Sequence, residues 1–271
     1  MGNLLAAQRQ ALTLERLRAQ GAVRIAELTA ELGVSEMTAR RDIDQLAARG
    51  LCRKVHGGAC LIANTSEEPG FAAKSSANVA AKRAIGRAAA ALVSPGQAVG
   101  VSAGTTSYWV AVELAALVAA GQVTVVTNSP PAAEAIVGGP TGEFNAAAAA
   151  GVILTGGVRT PSQALVGPAA DWSLGRLRLD WLFLGVHGLD PEAGLTTPNL
   201  LEAATDRAFM AAARATAVTA DASKWGVAAL ARIAPLSDAA RLVTDSPPPP
   251  AAAKALRRGH VDVTVALEAT P

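Results

Sequence analysis

Polar residues follow several of the predicted strands in the second half of the chain. The stretches 102–107, 127–129, 156–157 and 221–226 each come after a short apolar run rich in β-branched residues. Because open α/β sheets bind ligands beyond the carboxyl ends of their strands, we expect these stretches to form one site. The candidate ligand-binding residues in them are Ser102, Gly104, Thr105, Thr106, Ser107, Asn128, Gly156, Gly157, Asp221 and Lys224.

A phosphate group is the ligand that the first of these stretches suits best. Gly104 permits a tight turn, and the N–H groups and hydroxyls of residues 105–107 can surround a phosphate at a helix N-terminus. Lys224 can neutralise the same phosphate, and Asn128 can hydrogen-bond a sugar hydroxyl. Each feature has an ordinary alternative that the sequence leaves open: a helix cap, a solvated lysine and a residue that holds a turn.

The first sixty residues carry the basic charge of the chain. They contain nine Lys and Arg against six Asp and Glu, whereas the remainder contains fifteen against sixteen. Five of the cations fall within fifteen residues, namely Arg40, Arg41, Arg49, Arg53 and Lys54. Such a cluster suits the phosphates of a nucleic acid, and a solvated helix face is the alternative.

The spacing of apolar residues in this region predicts three helices. The first ends near residue 21, the second ends at residue 33, and the third follows Ser35, which is a good N-cap. Ile43 and Leu46 lie on one face of the third helix. The opposite face carries Met37, Thr38, Arg41 and Gln45. Two helices joined by a short turn, the second presenting Arg, Thr and Gln, are typical of a motif that enters the major groove of DNA.

A short β-hairpin is predicted after the third helix. Residues 51–55 and 59–62 form its strands, and a turn at 56–58 joins them. The first strand carries two of the clustered cations. Cys52 and Cys60 lie on the two strands, where we expect buried small apolar side chains rather than a redox pair or a metal site.

The runs Ile25-Ala-Glu-Leu, Gly33-Val-Ser-Glu-Met-Thr-Ala-Arg-Arg-Asp-Ile and Val55-His-Gly-Gly-Ala are more specific than a generic helix-turn-helix. They closely resemble the winged helix-turn-helix of the DeoR family of bacterial transcription regulators. The resemblance implies that the third helix reads DNA and that the hairpin touches the DNA backbone. The DNA-binding residues that it implies are Ser35, Met37, Thr38, Arg40, Arg41, Gln45, Arg53, Lys54 and His56.

The rest of the chain predicts a linker and a larger domain. Residues 63–70 have no periodic apolar signal and end in Pro-Gly, so they are interpreted as a linker between a domain at 1–62 and a domain at 71–271. From Phe71 onward, Ala-rich helical segments alternate with short β-branched runs. This alternation predicts an α/β fold with a largely parallel sheet.

Several pieces of this larger domain match a second family pattern: Phe71-x-x-Lys74, Asn78, Lys82, Gly104-Thr-Thr, Thr127-Asn-Ser, Gly156-Gly157, Gly167, Glu202, Arg207 and Asp221-x-Ser-Lys224-x-Gly226. Residues 71–245 thereby resemble the C-terminal sensor domain of the DeoR family. The resemblance implies a fold related to ribose-5-phosphate isomerase and glucosamine-6-phosphate deaminase. It also implies a phosphorylated sugar or sugar-derived effector, with Glu202 in the site.

The chain departs from this pattern at three positions. Ser102 stands where the family commonly has Asp, Lys74 where it has Arg, and Arg207 where it has Lys. Without the acid at position 102, the hydroxyls of the effector must be read in another way. The phosphate site is less affected, because backbone N–H groups form it.

These features together predict a transcription regulator of carbohydrate metabolism, in this family most often a repressor. We expect it to bind double-stranded operator DNA, to be released by a phosphorylated sugar, to form a homodimer or larger homo-oligomer, and to need no cofactor or metal. A mean hydropathy of +0.29 with 17% charged residues excludes a disordered chain. No signal peptide or membrane helix is visible, so we expect a cytoplasmic protein.

The alternative from another class is an enzyme similar to a sugar-phosphate isomerase, with a DNA-binding appendage. Glu202 and Asp221 are carboxylates that can abstract a proton. Ser102 cannot act as that base, and no second acid or base has a recognisable spacing. We therefore expect that the protein is not an enzyme.

Overall fold

The computed structural model describes residues 4–20, 22–49, 51–55, 57–61, 70–139 and 142–267. The chain divides into two compact units, Met1–Asn64 and Thr65–Pro271. The division falls within the predicted linker at 63–70, of which only Gly70 is among the described residues.

The first unit contains three helices and a small antiparallel sheet. Its elements are α1 (Ala6–Gln20), β1 (Ala22–Arg24), α2 (Ile25–Leu32), α3 (Glu36–Ala48), β2 (Cys52–Val55) and β3 (Gly58–Leu61). The three helices and the hairpin confirm the predicted winged helix-turn-helix. Strand β1 was not predicted because three residues are too few to show alternation; it pairs with β3. An added Cβ at Gly58 would lie 2.0 Å from the carbonyl oxygen of Val23 on β1, so only glycine fits there.

Local chemistry explains where α3 begins and how this unit packs. The Ser35 hydroxyl accepts a hydrogen bond from the Thr38 N–H at 3.2 Å, which confirms the predicted N-cap. The core contains the fully buried side chains of Leu17, Leu28, Ile43 and Leu46. Beside this core, the guanidinium of Arg9 on α1 donates to both carboxylate oxygens of Asp42 on α3, at 2.8 and 3.2 Å.

The free thiol of Cys52 is buried and lies 3.7 Å from the carbonyl oxygen of Ile43. Cys52 therefore packs as the small apolar side chain that was expected. Nothing is described of the Cys60 side chain.

The second unit is an α/β domain. Its helices are α4 (Phe71–Ser75), α5 (Val79–Ala90), α6 (Thr105–Ala119), α7 (Pro130–Gly138), α8 (Ala146–Ala150), α9 (Pro168–Leu174), α10 (Leu200–Ala212) and α11 (Pro250–Arg258). Its strands are β4 (Ala98–Val101), β5 (Thr124–Thr127), β6 (Val152–Leu154), β7 (Val158–Arg159), β8 (Leu165–Val166), β9 (Leu179–Gly185), β10 (Gly188–Asp190), β11 (Gly194–Thr197), β12 (Ala213–Thr219), β13 (Ala231–Ala234), β14 (Arg241–Thr244) and β15 (Asp262–Val265).

Seven of these strands form one parallel sheet in the order β15-β14-β12-β9-β4-β5-β6. This sheet confirms the predicted α/β class. Buried aliphatic side chains form a core on each of its faces, as a parallel sheet covered on both sides requires. The chain first adds strands on one side of β4 and then returns to add β9 and the later strands on the other side. A topological switch point therefore lies between β4 and β9.

Strands β10, β11 and β13 form a separate antiparallel sheet that the sequence did not predict. Strands β7 and β8 form a second small ribbon. Helix α6 begins at Thr105, which makes Gly104 the residue at its N-terminus, as the sequence predicted.

Candidate functional site

A pocket opens at the switch point, beyond the carboxyl ends of β4 and β9. The loop after β4 lines it through Ala103 and Gly104, and the end of β9 lines it through Gly185, Val186 and His187. The other lining residues are Phe71, Lys74, Thr105, Thr106, Asn128, Ser162, Ala164, Thr197, Pro198, Glu202, Asp206 and Lys224. Of the predicted ligand-binding residues, the structure brings six to this pocket: Gly104, Thr105, Thr106, Asn128, Glu202 and Lys224.

The N-terminus of α6 forms one side of the pocket. Gly104 has φ 145° and ψ 156°, a backbone conformation that is essentially restricted to glycine. The first helical hydrogen bond runs from the Tyr108 N–H to the Gly104 carbonyl at 3.0 Å. The N–H groups of residues 105–107 therefore have no acceptor within the helix, and Gly104 has no side chain to cap them. This arrangement favours an anion in the pocket.

Ser102 and Ser107 lie behind the pocket rather than in it. The Ser102 hydroxyl is fully buried and accepts a hydrogen bond from the Gly185 N–H at 2.9 Å, which ties the end of β4 to the end of β9. The Ser107 hydroxyl is buried and has no hydrogen-bond partner among the described residues. A Cβ added to Gly185 would lie 2.6 Å from it, so glycine is required for this close approach.

Asn128 has the turn-holding role, one of the two that the sequence left open. Its side-chain oxygen accepts from the Ala103 N–H at 2.8 Å, and its amide nitrogen donates to the Leu165 carbonyl at 3.1 Å. The side chain therefore holds the loop that leads to Gly104, and it also lines the pocket. We conclude that Asn128 positions the turn that precedes α6.

Gly156 and Gly157 do not line the pocket. Both have positive φ, 76° and 121°. A Cβ added to Gly157 would lie 2.5 Å from the carbonyl oxygen of Val166 on β8. Gly157 thus lets the chain pass closely beside this strand, whereas a Cβ at Gly156 would meet nothing within 4 Å and only the positive φ favours glycine there.

Helix α10 forms an acidic side of the pocket. One carboxylate oxygen of Glu202 accepts from the hydroxyls of Thr160, at 2.7 Å, and Ser162, and the other accepts from the Thr197 hydroxyl at 3.0 Å. One turn later, Asp206 also lines the pocket. Sequence reasoning missed Asp206, because nothing in the local pattern separates it from an exposed helical acid.

Lys224 lines the pocket, whereas Asp221 lies just outside it. The buried Asp221 carboxylate accepts from the Asn78 side chain at 3.2 Å and from the Ser223 N–H at 3.0 Å. Burial alone raises the pKa of Asp221, but Lys224, the Ser223 hydrogen bonds and Lys82 outweigh that effect and lower it. Asp221 therefore remains ionised and holds the turn that carries Lys224.

Two lysines that the resemblance included, but that were not among the predicted site residues, belong to the same region. Lys74 lines the pocket. The Lys82 ammonium is buried and donates to the Lys74 carbonyl at 2.6 Å. Burial lowers the pKa of Lys82 to about 8, although Asp221 acts in the opposite direction. Lysines 74, 82 and 224 thus make this part of the second unit basic.

In the first unit, the predicted DNA-reading face of α3 is open to solvent. Met37 is 80% exposed, and Arg41 is exposed with no ion pair or hydrogen bond among the described side chains. Gln45 is exposed, and its side-chain oxygen accepts a hydrogen bond from Gln10 on α1. Ser35 and Thr38 join the N-cap at the start of this helix.

Two of the predicted DNA-binding cations, Arg40 and Lys54, are already paired within the chain. Arg40 forms an ion pair with Glu36, and Lys54 forms one with Asp44, each at 2.5 Å. All four side chains are more than half exposed, so these pairs can exchange for phosphate. Arg53 lies on β2 with its side chain outside the description, and His56 lies outside the described residues altogether.

The described part of the chain contains no helix that is both long and apolar enough to cross a membrane. Its His, Cys, Asp and Glu side chains form no group of three or more that could hold a metal ion.

Comparison with known families matches both units. The DeoR-like helix-turn-helix domain matches residues 9–65, and the DeoR C terminal sensor domain matches residues 77–246. Among solved structures, ribose 5-phosphate isomerase A from Methanocaldococcus jannaschii is similar over 54% of each chain, at 17% identity and a TM-score of 0.38.

Relatives match over nearly their whole length. The HTH-type transcriptional regulator YulB of Bacillus subtilis is 33% identical over 96% of this chain and 97% of its own. The putative aga operon transcriptional repressor of Escherichia coli O157:H7 is 32% identical over 96% and 94%. The glycerol-3-phosphate regulon repressor of Escherichia coli K12 is 29% identical over 92% and 95%. With both domain matches and relatives of this identity and coverage, the chain belongs to the DeoR family of transcription regulators.

Proposed function

We propose that the protein represses a carbohydrate-metabolism operon and that a phosphorylated sugar bound in the second unit weakens its hold on operator DNA. The pocket at the switch point carries this proposal. It joins the uncapped N-terminus of α6 with Lys224 and Lys74, which suits a phosphate. Hydroxyls and carboxyls on the α10 side suit the polar groups of a sugar.

Regulation requires more than tight binding of the sugar phosphate. The ligand must bind one of two arrangements of the protein better than the other, because equal affinity for both shifts nothing. Bound effector must therefore lower the affinity for operator DNA by the same factor by which bound operator DNA lowers the affinity for the effector. This reciprocity makes the mechanism measurable from either side.

We also propose that the protein is not an enzyme. The two carboxylates that favoured an isomerase are poorly placed for proton abstraction. Both oxygens of Glu202 accept hydrogen bonds from hydroxyls, and Asp221 does not line the pocket. The names of the relatives, which are regulators, support the same proposal.

A binding experiment tests the repressor proposal. Purified protein first selects its operator from random DNA, and operator affinity is then measured with phosphorylated sugars and with the same sugars lacking phosphate. We expect only phosphorylated sugars to weaken DNA binding. NMR spectra of the same samples show whether the protein converts the sugar phosphate to a product, which tests the enzyme alternative. No sequence preference, or no effect of any sugar phosphate, overturns the proposal.

Lys224→Ala provides the matched variant. Losing a charge-assisted hydrogen bond should weaken effector binding by about 1.5–3 kcal/mol, while operator affinity without ligand stays unchanged. Lys254→Ala removes an exposed lysine from α11, far along the chain from the pocket residues, and serves as the control. Equal effector responses in both variants would show that Lys224 does not contact the phosphate.

A further inference from the structure

The Asp206 carboxyl faces the pocket without a partner. Asp206 is only 8% exposed, yet it lines the pocket. No described side chain or backbone group gives it a hydrogen bond or an ion pair. A buried carboxyl in this condition is costly, and proteins normally satisfy such groups. A group on a ligand bound in the pocket can supply this partner.

Among the described residues, no cation forms an ion pair with Asp206. The guanidinium of Arg207 acts on Asp206 electrostatically, but it is exposed and donates instead to the Arg232 carbonyl at 2.7 Å. Glu202 on the same helix adds a second negative charge, and its hydrogen bonds from Thr160 and Thr197 keep it in place. Burial and then Glu202 raise the pKa of Asp206 well above its ordinary value, against a smaller effect of Arg207. Asp206 thus has no direct ion pair among the described side chains.

The ligand-facing groups of the pocket differ in charge. Lys74, Lys224 and the N–H groups at the start of α6 suit an anion, whereas Glu202 and Asp206 suit a cation. A neutral hydroxyl can give Asp206 one hydrogen bond but supplies no counter-charge for its carboxylate. An ammonium group supplies both.

We propose that the pocket selects a phosphorylated amino sugar, with Asp206 as the counter-ion of its ammonium group. This inference rests on the proposed function, since it assumes that a sugar phosphate occupies this pocket. It assigns Asp206 as a specificity-determining residue. Position 206 also gives the chain an acid at the ligand that does not depend on the missing acid at Ser102.

Isothermal titration with matched ligand pairs tests the assignment. The pairs are the 2-amino and 2-hydroxy forms of the gluco, galacto and manno hexose 6-phosphates, with the N-acetyl form of each as an uncharged nitrogen control. For the sugar that binds, we expect the amino form to bind at least about tenfold more tightly than the hydroxy and N-acetyl forms, as a charge-assisted hydrogen bond predicts.

The Asp206→Asn variant keeps the shape of the side chain but cannot form an ion pair with an ammonium group. We expect it to reduce the amino preference to within about threefold, with little change for the hydroxy form. Glu192→Gln removes an exposed acid that does not line the pocket and should keep the full preference.

The outcomes separate this inference from the proposed function. If amino and hydroxy forms bind equally to the wild-type protein, the Asp206 assignment is wrong and the sugar-phosphate site stands. If the amino form is preferred and Asp206→Asn retains that preference, another group reads the ammonium and the assignment is likewise wrong. If no member of the panel binds, both the assignment and the proposed function fail.

Discussion

Replacing Gly104 with alanine tests whether the turn before α6 is the phosphate site. Gly104 has φ 145°, and a Cβ built there would find its nearest neighbours at 3.6 Å, the Ser107 hydroxyl, and 3.8 Å, the Gly185 Cα. These are ordinary contacts, so the methyl group fits. The cost of the substitution is therefore conformational, because a residue with a Cβ avoids this backbone region.

The structure sets the size of this effect. A residue held in such a region costs about 1–3 kcal/mol, and for a unit of this length each kcal/mol lowers Tm by about 2–4 °C. Gly121, just beyond the opposite end of α6, provides a matched control. It has φ 67° with nothing within 4 Å of a built Cβ. Gly121→Ala should cost about 1 kcal/mol and lie too far from the pocket to affect it.

Three measurements test whether this turn binds the phosphate. They are thermal unfolding, operator binding and titration with hexose 6-phosphates. We expect Gly104→Ala to lose stability and effector response, because relief of the strain turns the N–H groups of α6 away from the phosphate. Operator affinity without ligand should match the wild type. If Gly104→Ala is destabilised no more than Gly121→Ala and still responds to the sugar phosphate, the reasoning about this turn is refuted.

Four further predictions concern other parts of the chain. Arg41→Ala should weaken operator binding by about 1–3 kcal/mol and reduce the base preference at one base pair in a DNA selection assay. Unchanged selectivity would show that Arg41 does not contact a base. Asp44→Asn frees Lys54 for phosphate, so filter binding should show about two- to fivefold tighter operator binding, and weaker binding would contradict this. Ser102→Ala leaves the N–H at the end of β9 unpaired and should cost about 1–3 kcal/mol in urea unfolding, whereas a neutral result would mean that the hydroxyl does not join the strands. The raised pKa of Asp206 means that the folded state holds a proton that the unfolded chain releases. The free energy of unfolding of the wild type should therefore fall relative to that of Asp206→Asn as pH rises from 5 to 8. A constant difference between the two proteins would show that the carboxyl lies in a more polar environment.

The winged helix-turn-helix could be predicted because its signals are local. The N-cap at Ser35 needs only the three residues that follow it, and the apolar spacing of Ile43 and Leu46 lies within one helix. Strand β1 escaped prediction since its pairing with β3 is a long-range contact without a sequence period. The Arg9 to Asp42 ion pair likewise joins residues that only the packing of α1 on α3 brings together.

For the candidate site, local composition was enough to predict that polar groups follow strands and that Gly104 opens a helix. These statements depend also on the general rule for α/β sheets. Which of the polar groups meet depends on the strand order. Strand order brings β4 beside β9, so the loop after β4 shares a pocket with His187, whereas Gly157 packs against β8 outside the pocket.

The difference between what local sequence predicts and what the fold adds is clearest at the carboxylic acids. Glu202, Asp206 and Asp221 are three carboxyls in one half of the chain, and no local pattern ranks them. The fold surrounds Glu202 with hydroxyls, fixes Asp221 under the turn of Lys224, and leaves Asp206 facing the pocket without a partner. A carboxyl acquires its chemistry from burial and from the groups around it, and both come from elements far apart in the sequence.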